Sequence, residues 1–428
     1  MDTSFTPMEY LKIGIANYFG EDKLSWSDRI KWFDGHVTKE SYMDLAKEAD
    51  EPCCFIGACE AYFRALDGDK YNKVPISLDA TTSVLQFQAV LTHDDYCGKI
   101  SNVFDTGSRL DAYRIIQGEF TKMFPDMEIT VDRQTLKEAV MPFCYGSVTK
   151  IRDLFGNNGA KDFGTYMDTT FKFAKLVRGL SNNWQEVKTY GWVMPDNFHV
   201  EVPVYNIVSC EEPLTLTSPN GSYEFIYSWS KHEPSKYGRA YAANLVHSVD
   251  SLVAREIVTL ANFGGTKEKY LAMLDNDINS SKYVFYSKNT FMVAKLAQLA
   301  INFNFMSARI LHFLDNNSVK ELQKYPEAIE LLRTLISFIP DESFEVQVIH
   351  DCFRILPNYG DDIRRLYNYE LMCVAKSNML GCILTKLFTN RDTNQVNIPQ
   401  ELQSFVDNNG GWSDERCDEI LNSNYALS

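Results

Sequence analysis

DRQTLKEAVMPFCYGS, residues 132–147, sets two cations, a tyrosine and a glycine at helical intervals. Its residues 133–145 have helical spacing, and a strand-like MEITV (127–131) leads into it. Arg133 and Lys137 stand one helical turn apart and share a face, and Tyr145 lies two turns beyond Lys137 on the same side. Two cations and an aromatic ring in one row fit a nucleoside triphosphate: the guanidinium and ammonium hold phosphates while the ring packs near sugar and base. Gly146, directly after the tyrosine, allows a left-handed turn or a close backbone approach. Pro142 falls late in the helix and should kink it or loosen its last turn. Taken alone, such a helix is more often a solvated basic face with a core tyrosine.

Two further stretches, one on each side, change that weighting. SLDATTSVLQ (77–86) ends the β-rich run VPISLD at Asp79 and continues into a helix-like segment. VIHDCF (348–353) sits in FEVQVIHDCFRIL (344–356), β-rich on both sides, so that His350 and Asp351 fall at the bend of a hairpin. If those strands are sheet neighbours, the Asp79 and Asp351 carboxylates converge. Converging carboxylates repel unless they share a cation, and hard oxygen ligands with open positions suit Mg²⁺ bound to phosphates. Two such ions about 4 Å apart would activate an attacking hydroxyl and stabilise a leaving pyrophosphate. Either aspartate alone is more often a turn or strand-end cap.

The rest of the chain supplies the frame. Its 428 residues exceed what one compact core usually holds, so two or three subdomains around a cleft are expected. Residues 8–36 read as two short helices. LTLTSPNGSYEFIYSW (214–229) reads as a hairpin joined around Asn220-Gly221. The segments 246–275, 290–314, 319–338 and 359–388 are mostly helical. The fold class is therefore α+β, a small antiparallel sheet carrying the aspartates with helices around it. No run of about 18 apolar residues exists, so no membrane span or membrane partner is expected. The N-terminus does not read as a signal peptide, and the 10 scattered cysteines suit free thiols in a reducing cytoplasm. A net charge of −15 with a pI near 5.0 opposes nucleic-acid binding at long range. An acidic metabolic enzyme would be the reading if charge were the only observation.

In this order, the three stretches resemble the single-subunit DNA-directed RNA polymerases of phages and mitochondria. Asp79 matches the metal-binding aspartate of that family's D-G-S-x-x-G-I-Q-H motif. Arg133, Lys137, Met141, Tyr145 and Gly146 match its fingers-helix motif R-x-x-x-K-x-x-x-M-x-x-x-Y-G. His350 and Asp351 match H-D-S-F, with Cys352 in place of the serine. YLKIGIANYFGEDKLSWSDRIKWF (10–33) looks like the segment after the family's thumb, which makes Lys23 a lysine near incoming nucleotide. EPCCFIGACEAY (51–62), WVMPDNFHV (192–200) and NLVHSVDS (244–251) also look alike, and His247 matches a histidine facing primer and template. NYALS (424–428) resembles a short apolar tail under the active site.

The resemblance implies a right-hand polymerase. Residues 1–94 would be the first part of a palm with a helical insertion, 95–245 helical fingers with the hairpin, and 246–428 the rest of the palm and the tail. It implies RNA synthesis on a DNA template from ribonucleoside triphosphates, with two Mg²⁺ ions on Asp79 and Asp351, His350 supporting their geometry, and Arg133, Lys137, Tyr145, Gly146, Lys23 and His247 around the nucleotide. Val84 stands where the family has glycine and Phe87 where it has histidine, which puts the ribose pocket in question, and Pro142 in the fingers helix bears on how that helix swings. Family members are about twice this length, and the thumb and N-terminal elements are not matched. The chain thus looks most like the larger subunit of the heterodimeric middle-gene RNA polymerases of some podoviruses. That implies a smaller partner subunit, an infected cell's cytoplasm, and recruitment by another protein such as a single-stranded-DNA-binding factor. The hairpin arms hold few side chains that read guanine, so no promoter selection is expected from them. A partner is also expected to cover an apolar face formed by Tyr10, Ile13, Ile15 and Tyr18. Two other readings compete: a DNA polymerase of the related fold, which usually carries an aromatic where Met141 stands, and an inactive polymerase-like scaffold, which would have lost some of these residues.

Overall fold

The computed structural model describes all residues except 1–2, 70–72, 126–130, 237, 239, 279–282, 391–392 and 408–410. The strand-like segment expected at 127–131 lies, but for Val131, outside the described residues. The chain is built mainly of helices around three small antiparallel sheets, so the α+β expectation holds. Among the described residues no helix is long and apolar enough to cross a membrane.

One sheet positions the aspartates. Its strands are β1 (Ile76–Asp79), β6 (Gln347–Ile349) and β7 (Cys352–Ile355), in the order β1-β7-β6. Side chains alternate across a strand, so Ile76 and Leu78 of β1 and Phe353 and Ile355 of β7 face inward and are buried. They rest on the helices Pro7–Phe19 and Gly360–Lys376. Gly14 lets the first helix approach: a Cβ there would come within 2.8 Å of Ile76. On the other side the Phe353 and Tyr367 rings meet edge to face at 5.7 Å.

The C-terminal residues add to the free edge of β1. The Asp79 N–H donates to the Ser428 carbonyl at 3.3 Å and its carbonyl accepts from Ser428 N–H at 2.8 Å, while Thr81 N–H donates to Ala426 at 3.1 Å. Ala426 and Leu427 are buried. The tail is held further back by Trp26 Nε1 and Arg364 Nη2, both donating to the Asn424 carbonyl, at 2.9 and 3.1 Å.

Two expectations need correction. The Pro7–Phe19 helix exposes no apolar face: Tyr10, Ile13, Ile15 and Tyr18 all lie in the chain's own core. The Tyr10 hydroxyl donates to Asp361 at 2.6 Å, and Tyr18 bonds to Pro75 and Ser77. The hairpin is also longer than 214–229. After β2 (Thr189–Val193) and β3 (His199–Pro203), strands β4 (Tyr205–Ser218) and β5 (Gly221–Pro234) pair over their whole length. Their loop is Pro219-Asn220, and Gly221, with φ 134°, is the residue after it. One face of this ribbon is apolar and open to solvent, with Leu214 opposite Phe225 and Leu216 opposite Tyr223.

Candidate active site

β1 ends where β6 and β7 turn, and this brings the two aspartates together. Asp79 is the register partner of Cys352, and Ala80 N–H donates to the Asp351 carbonyl at 3.1 Å. Ile349 pairs with Cys352, so His350-Asp351 forms a two-residue hairpin loop, as the sequence suggested. His350 has φ 56°, a conformation histidine tolerates better than most side chains. The Asp79 carboxyl is pushed above its usual range, by desolvation first, with the negative charges of Asp351 and Asp22 adding and a hydrogen bond from Cys352 opposing. Burial, the Asp79 charge and that hydrogen bond push the Cys352 thiol up to about 12, so it stays protonated as a donor. Cys352 thus takes a supporting place beside the aspartate.

The helix foreseen at 133–145 is Arg133–Cys144, capped by Asp132, whose side chain accepts from Thr135 N–H at 2.7 Å. It carries Pro142 in its last turn without breaking. Gly146 follows at φ 80°, and Gly146 and Ser147 N–H close the helix onto Phe143 and Pro142. The turn leaves Tyr145 half-buried, stacked on the His247 ring at 5.0 Å and 16°. Burial first, then Cys144, Asp250 and Asp351, raises the Tyr145 hydroxyl to about 12, so it remains a hydrogen-bond donor at neutral pH. His247 is pushed below its ordinary value by burial and by His350. A neutral imidazole stacked on a phenol ring makes a flat polar-edged surface within electrostatic reach of His350 and Asp351.

The cations are distributed unevenly. Arg133 is engaged by Asp111, Nε to Oδ2 at 2.6 Å, with its guanidinium over the Tyr113 ring. Holding a phosphate would require that ion pair to open or be shared. Lys137 is exposed and, among the described residues, has no carboxylate partner. Lys23 is paired with its neighbour Asp22, and both exert their charge on Asp79. This places Lys23 at the rim of the aspartate pair.

Sequence reasoning missed two charged residues here. Asp250 lies three residues after His247 on the Ala240–Asn262 helix, and burial with the Asp351 charge raises its carboxyl to about 6 while His350 opposes. The i,i+3 spacing from His247 was the available signal. Arg109 reaches Ser428 Oγ at 3.4 Å beside Asp79, from a loop with no pattern to mark it. Burial lowers its pKa, although Asp22 and Asp111 oppose the shift.

No group of three or more His, Cys, Asp or Glu side chains is close enough to hold a metal among the described residues. Two carboxylates with open positions still suit a cation whose remaining ligands are water and phosphate. A carboxylate pair on a small antiparallel sheet, near a helix that carries cations and ends at a tyrosine, suits a cation-bound phosphate substrate. Sequence comparison narrows the class. Residues 4–153 match the family model described as DNA-dependent RNA polymerase. A Neurospora crassa protein described as "Probable DNA-directed RNA polymerase" is 27% identical over 479 residues, covering 98% of this chain and 48% of that protein. T7 RNA polymerase of Escherichia phage T7 is 30% identical over 118 residues, 25% of this chain and 13% of its own length. Over residues 4–153 above all, the chain is similar to the single-subunit, phage- and mitochondrial-type DNA-directed RNA polymerases. It spans about half the length of the Neurospora relative.

Proposed function

We propose that this chain is the catalytic part of an RNA polymerase that copies a DNA template from ribonucleoside triphosphates. The observation that carries the reading is the apposition of Asp79, at the end of β1, with Asp351, at the β6–β7 bend. In this reading the sheet and its surrounding helices form the palm and the Arg133–Cys144 helix belongs to the fingers. Asp79 and Asp351 would hold two Mg²⁺ ions, which lower the pKa of the attacking hydroxyl and stabilise the leaving pyrophosphate when bound. The chain's own groups then divide the remaining work. Lys137, with Arg133 and Lys23, holds the triphosphate. The Tyr145 hydroxyl donates toward the ribose, and His247 fixes the ring's plane. His350 supports the bend that aims Asp351.

The polymerase would act with a second polypeptide segment or subunit carrying the thumb, as the coverage of the Neurospora relative suggests. The apolar N-terminal face that would have argued for such a partner is buried, so that support is withdrawn. Primer extension with ribo- and deoxyribonucleotides on a DNA template tests the reading. Preferential ribonucleotide addition is expected. Asp79→Asn or Asp351→Asn should each lower it by on the order of 10³ or more, because charge on the transferring group develops mainly in the transition state. Wild-type turnover in either variant, or a preference for deoxynucleotides, would overturn it.

A further inference from the structure

The helix Ser83–Thr92 follows Asp79 directly in the chain, and every residue from Val84 to Thr92 is buried. It packs against the Arg133–Cys144, Lys172–Asn182, Ala240–Asn262 and Gly360–Lys376 helices. A helix enclosed on all sides should be apolar all round, yet this one carries Gln86 and Gln88, at 0% and 1% exposure. Two residues along a helix are about 200° apart, so the two amides leave on opposite sides.

Gln86 is satisfied where it lies. Its Nε2 donates to the Ala426 and Ser101 carbonyls at 2.8 and 3.0 Å, and its Oε1 accepts from the Tyr367 hydroxyl at 2.7 Å. Gln88 is satisfied only in part. Its Nε2 donates to the Cys144 carbonyl at 3.3 Å, while its Oε1 is buried with no hydrogen-bond partner among the described residues. A buried acceptor without a donor is costly, and an apolar side chain of similar size would avoid that cost. Packing therefore does not account for a glutamine at 88, and the bond that it makes does.

That bond lands on a peptide the helix cannot hold by itself. Cys144 is the last residue of its helix, where carbonyls lack an intrahelical donor, and no backbone N–H reaches its oxygen among the described residues. The Gly146 and Ser147 N–H groups close onto Phe143 and Pro142 instead. Pro142 brings no N–H of its own, so the last turn has one internal bond fewer. The Cys144 carbonyl and the Tyr145 N–H belong to one planar peptide unit. Holding the oxygen thus orients the plane from which the Tyr145 side chain leaves. His247, stacked on the ring at 5.0 Å, fixes the plane of the phenol but not its place within that plane.

We propose that Gln88 is a positioning residue for the choice between ribose and deoxyribose: through the Cys144 carbonyl it fixes the peptide from which Tyr145 reaches toward the sugar. The inference rests on the polymerase reading for the sugar, whereas the hold on the turn after Cys144 stands on the hydrogen bond alone. One buried helix then serves both halves of the site. Gln86 ties the tail beside β1, and Gln88 ties the turn that carries Tyr145, which keeps Asp79 and Tyr145 in register.

Gln88→Met removes the donor at nearly constant length, and Gln88→Leu removes it with a shorter, branched side chain. Hydrogen exchange of the full chain without nucleotide reads the hold. In both variants the amides of 145–147 should exchange about 5-fold faster relative to those of the Lys172–Asn182 helix, the worth of one hydrogen bond. Competition between ribo- and deoxyribonucleotides in primer extension reads the consequence: the ribonucleotide preference should fall about 3- to 5-fold, no further than loss of the hydroxyl itself would take it. In a Tyr145→Phe background Gln88→Met should change the preference no further, because two residues acting through one hydroxyl do not add. Unchanged exchange at 145–147 would overturn the hold. An unchanged sugar preference, or an equal fall in both backgrounds, would overturn the assignment to Tyr145. Ribonucleotide extension by the wild-type chain, measured separately, reports on the polymerase reading alone.

Discussion

Removing residues 426–428 attacks the proposed active site without touching any group assigned to chemistry. These residues supply partners to Asp79 and its neighbours: Asp79 N–H and C=O to Ser428 at 3.3 and 2.8 Å, Thr81 N–H to Ala426 at 3.1 Å, and Gln86 Nε2 to Ala426 at 2.8 Å. At about 1 kcal/mol net each, these bonds contribute roughly 4 kcal/mol. Burial of Leu427, 1% exposed, adds about 2 kcal/mol. Water can reach the freed edge of β1 once the tail is gone, so the measured loss should be about half that sum. The chain should still fold, since the tail adds only Ala426 and Leu427 to a core built mainly from the helices. Catalysis should suffer more than stability, because a displacement of about 1 Å in a positioned group costs on the order of 100-fold. The assay is single-nucleotide extension at saturating nucleotide, beside urea unfolding of the same preparation. The expected result is a fall in kcat of about 100-fold with a KM for nucleotide within a few-fold of wild type, since the proposed triphosphate contacts are on other elements. A truncated chain with unchanged kcat would refute the claim that the tail holds Asp79 in register.

Three other outcomes can be checked. Tyr145→Phe keeps the ring on His247 and removes only the hydroxyl, so deoxynucleotide incorporation should rise by roughly 5- to 10-fold relative to ribonucleotide, the worth of about one hydrogen bond; competition between the two substrates measures it, and an unchanged ratio would assign sugar choice elsewhere. The fully buried Glu370 is held protonated by burial and by Glu256, which burial itself raises to about 8. Both pKa values are raised, so the stability they confer is complete below about pH 4.3 and is lost as pH rises toward the folded value. Glu370→Gln should therefore gain over wild type by about 1 kcal/mol or more between pH 5.5 and 8, and a pH-independent difference in urea unfolding would count against this. Shortening the ribbon around 219–222 should leave transcription on denatured DNA intact, because its arms hold Glu211, Glu212, Glu224 and Glu233 against Lys231 and His232; loss of a sequence preference shown by the intact chain would contradict that.

What could be read in the sequence was local. Asp79 and His350-Asp351 interrupt β-rich apolar runs, and a polar residue there marks a strand end or a bend. Arg133 and Lys137 are one helical period apart and both lie on the Arg133–Cys144 helix, which ends just before Tyr145. Features that join distant residues carried no such mark. Nothing near Asp79 announces that residue 428 pairs with it. Glu211, Glu212 and Pro213 lie just before the hairpin expected at 214–229, yet β4 runs through them because an exposed two-stranded ribbon tolerates charge and proline at its open edge. The Pro7–Phe19 helix was misread by treating its apolar residues as one stripe. Ile13 and Ile15 are about 200° apart around a helix, and a helix apolar on opposite sides belongs inside the core.

The two departures at Val84 and Phe87 acquire a different meaning from their positions. Both belong to the Ser83–Thr92 helix, at 3% and 1% exposure. A side chain that buried packs against its own core and cannot reach the sugar of a nucleotide lying in solvent. Two polar residues of that helix connect to the site: Gln88 donates to the Cys144 carbonyl at 3.3 Å, and Gln86 donates to the Ala426 and Ser101 carbonyls and accepts from the Tyr367 hydroxyl at 2.7 Å. The role of Gln86 is to hold the tail, and through the tail the strand ending in Asp79. Valine and phenylalanine beside it can therefore replace smaller or polar residues as long as the helix keeps its place. In the proposed reading, recognition of the sugar falls to side chains on the open face, where Tyr145 stacks on His247 from a separate helix. A similar separation applies to charge. Exposed charges act over about 8 Å at physiological ionic strength, so acidic residues on the projecting ribbon weigh on the chain's net −15 while the site is governed by Arg109, Arg133, Lys137 and the aspartates among them.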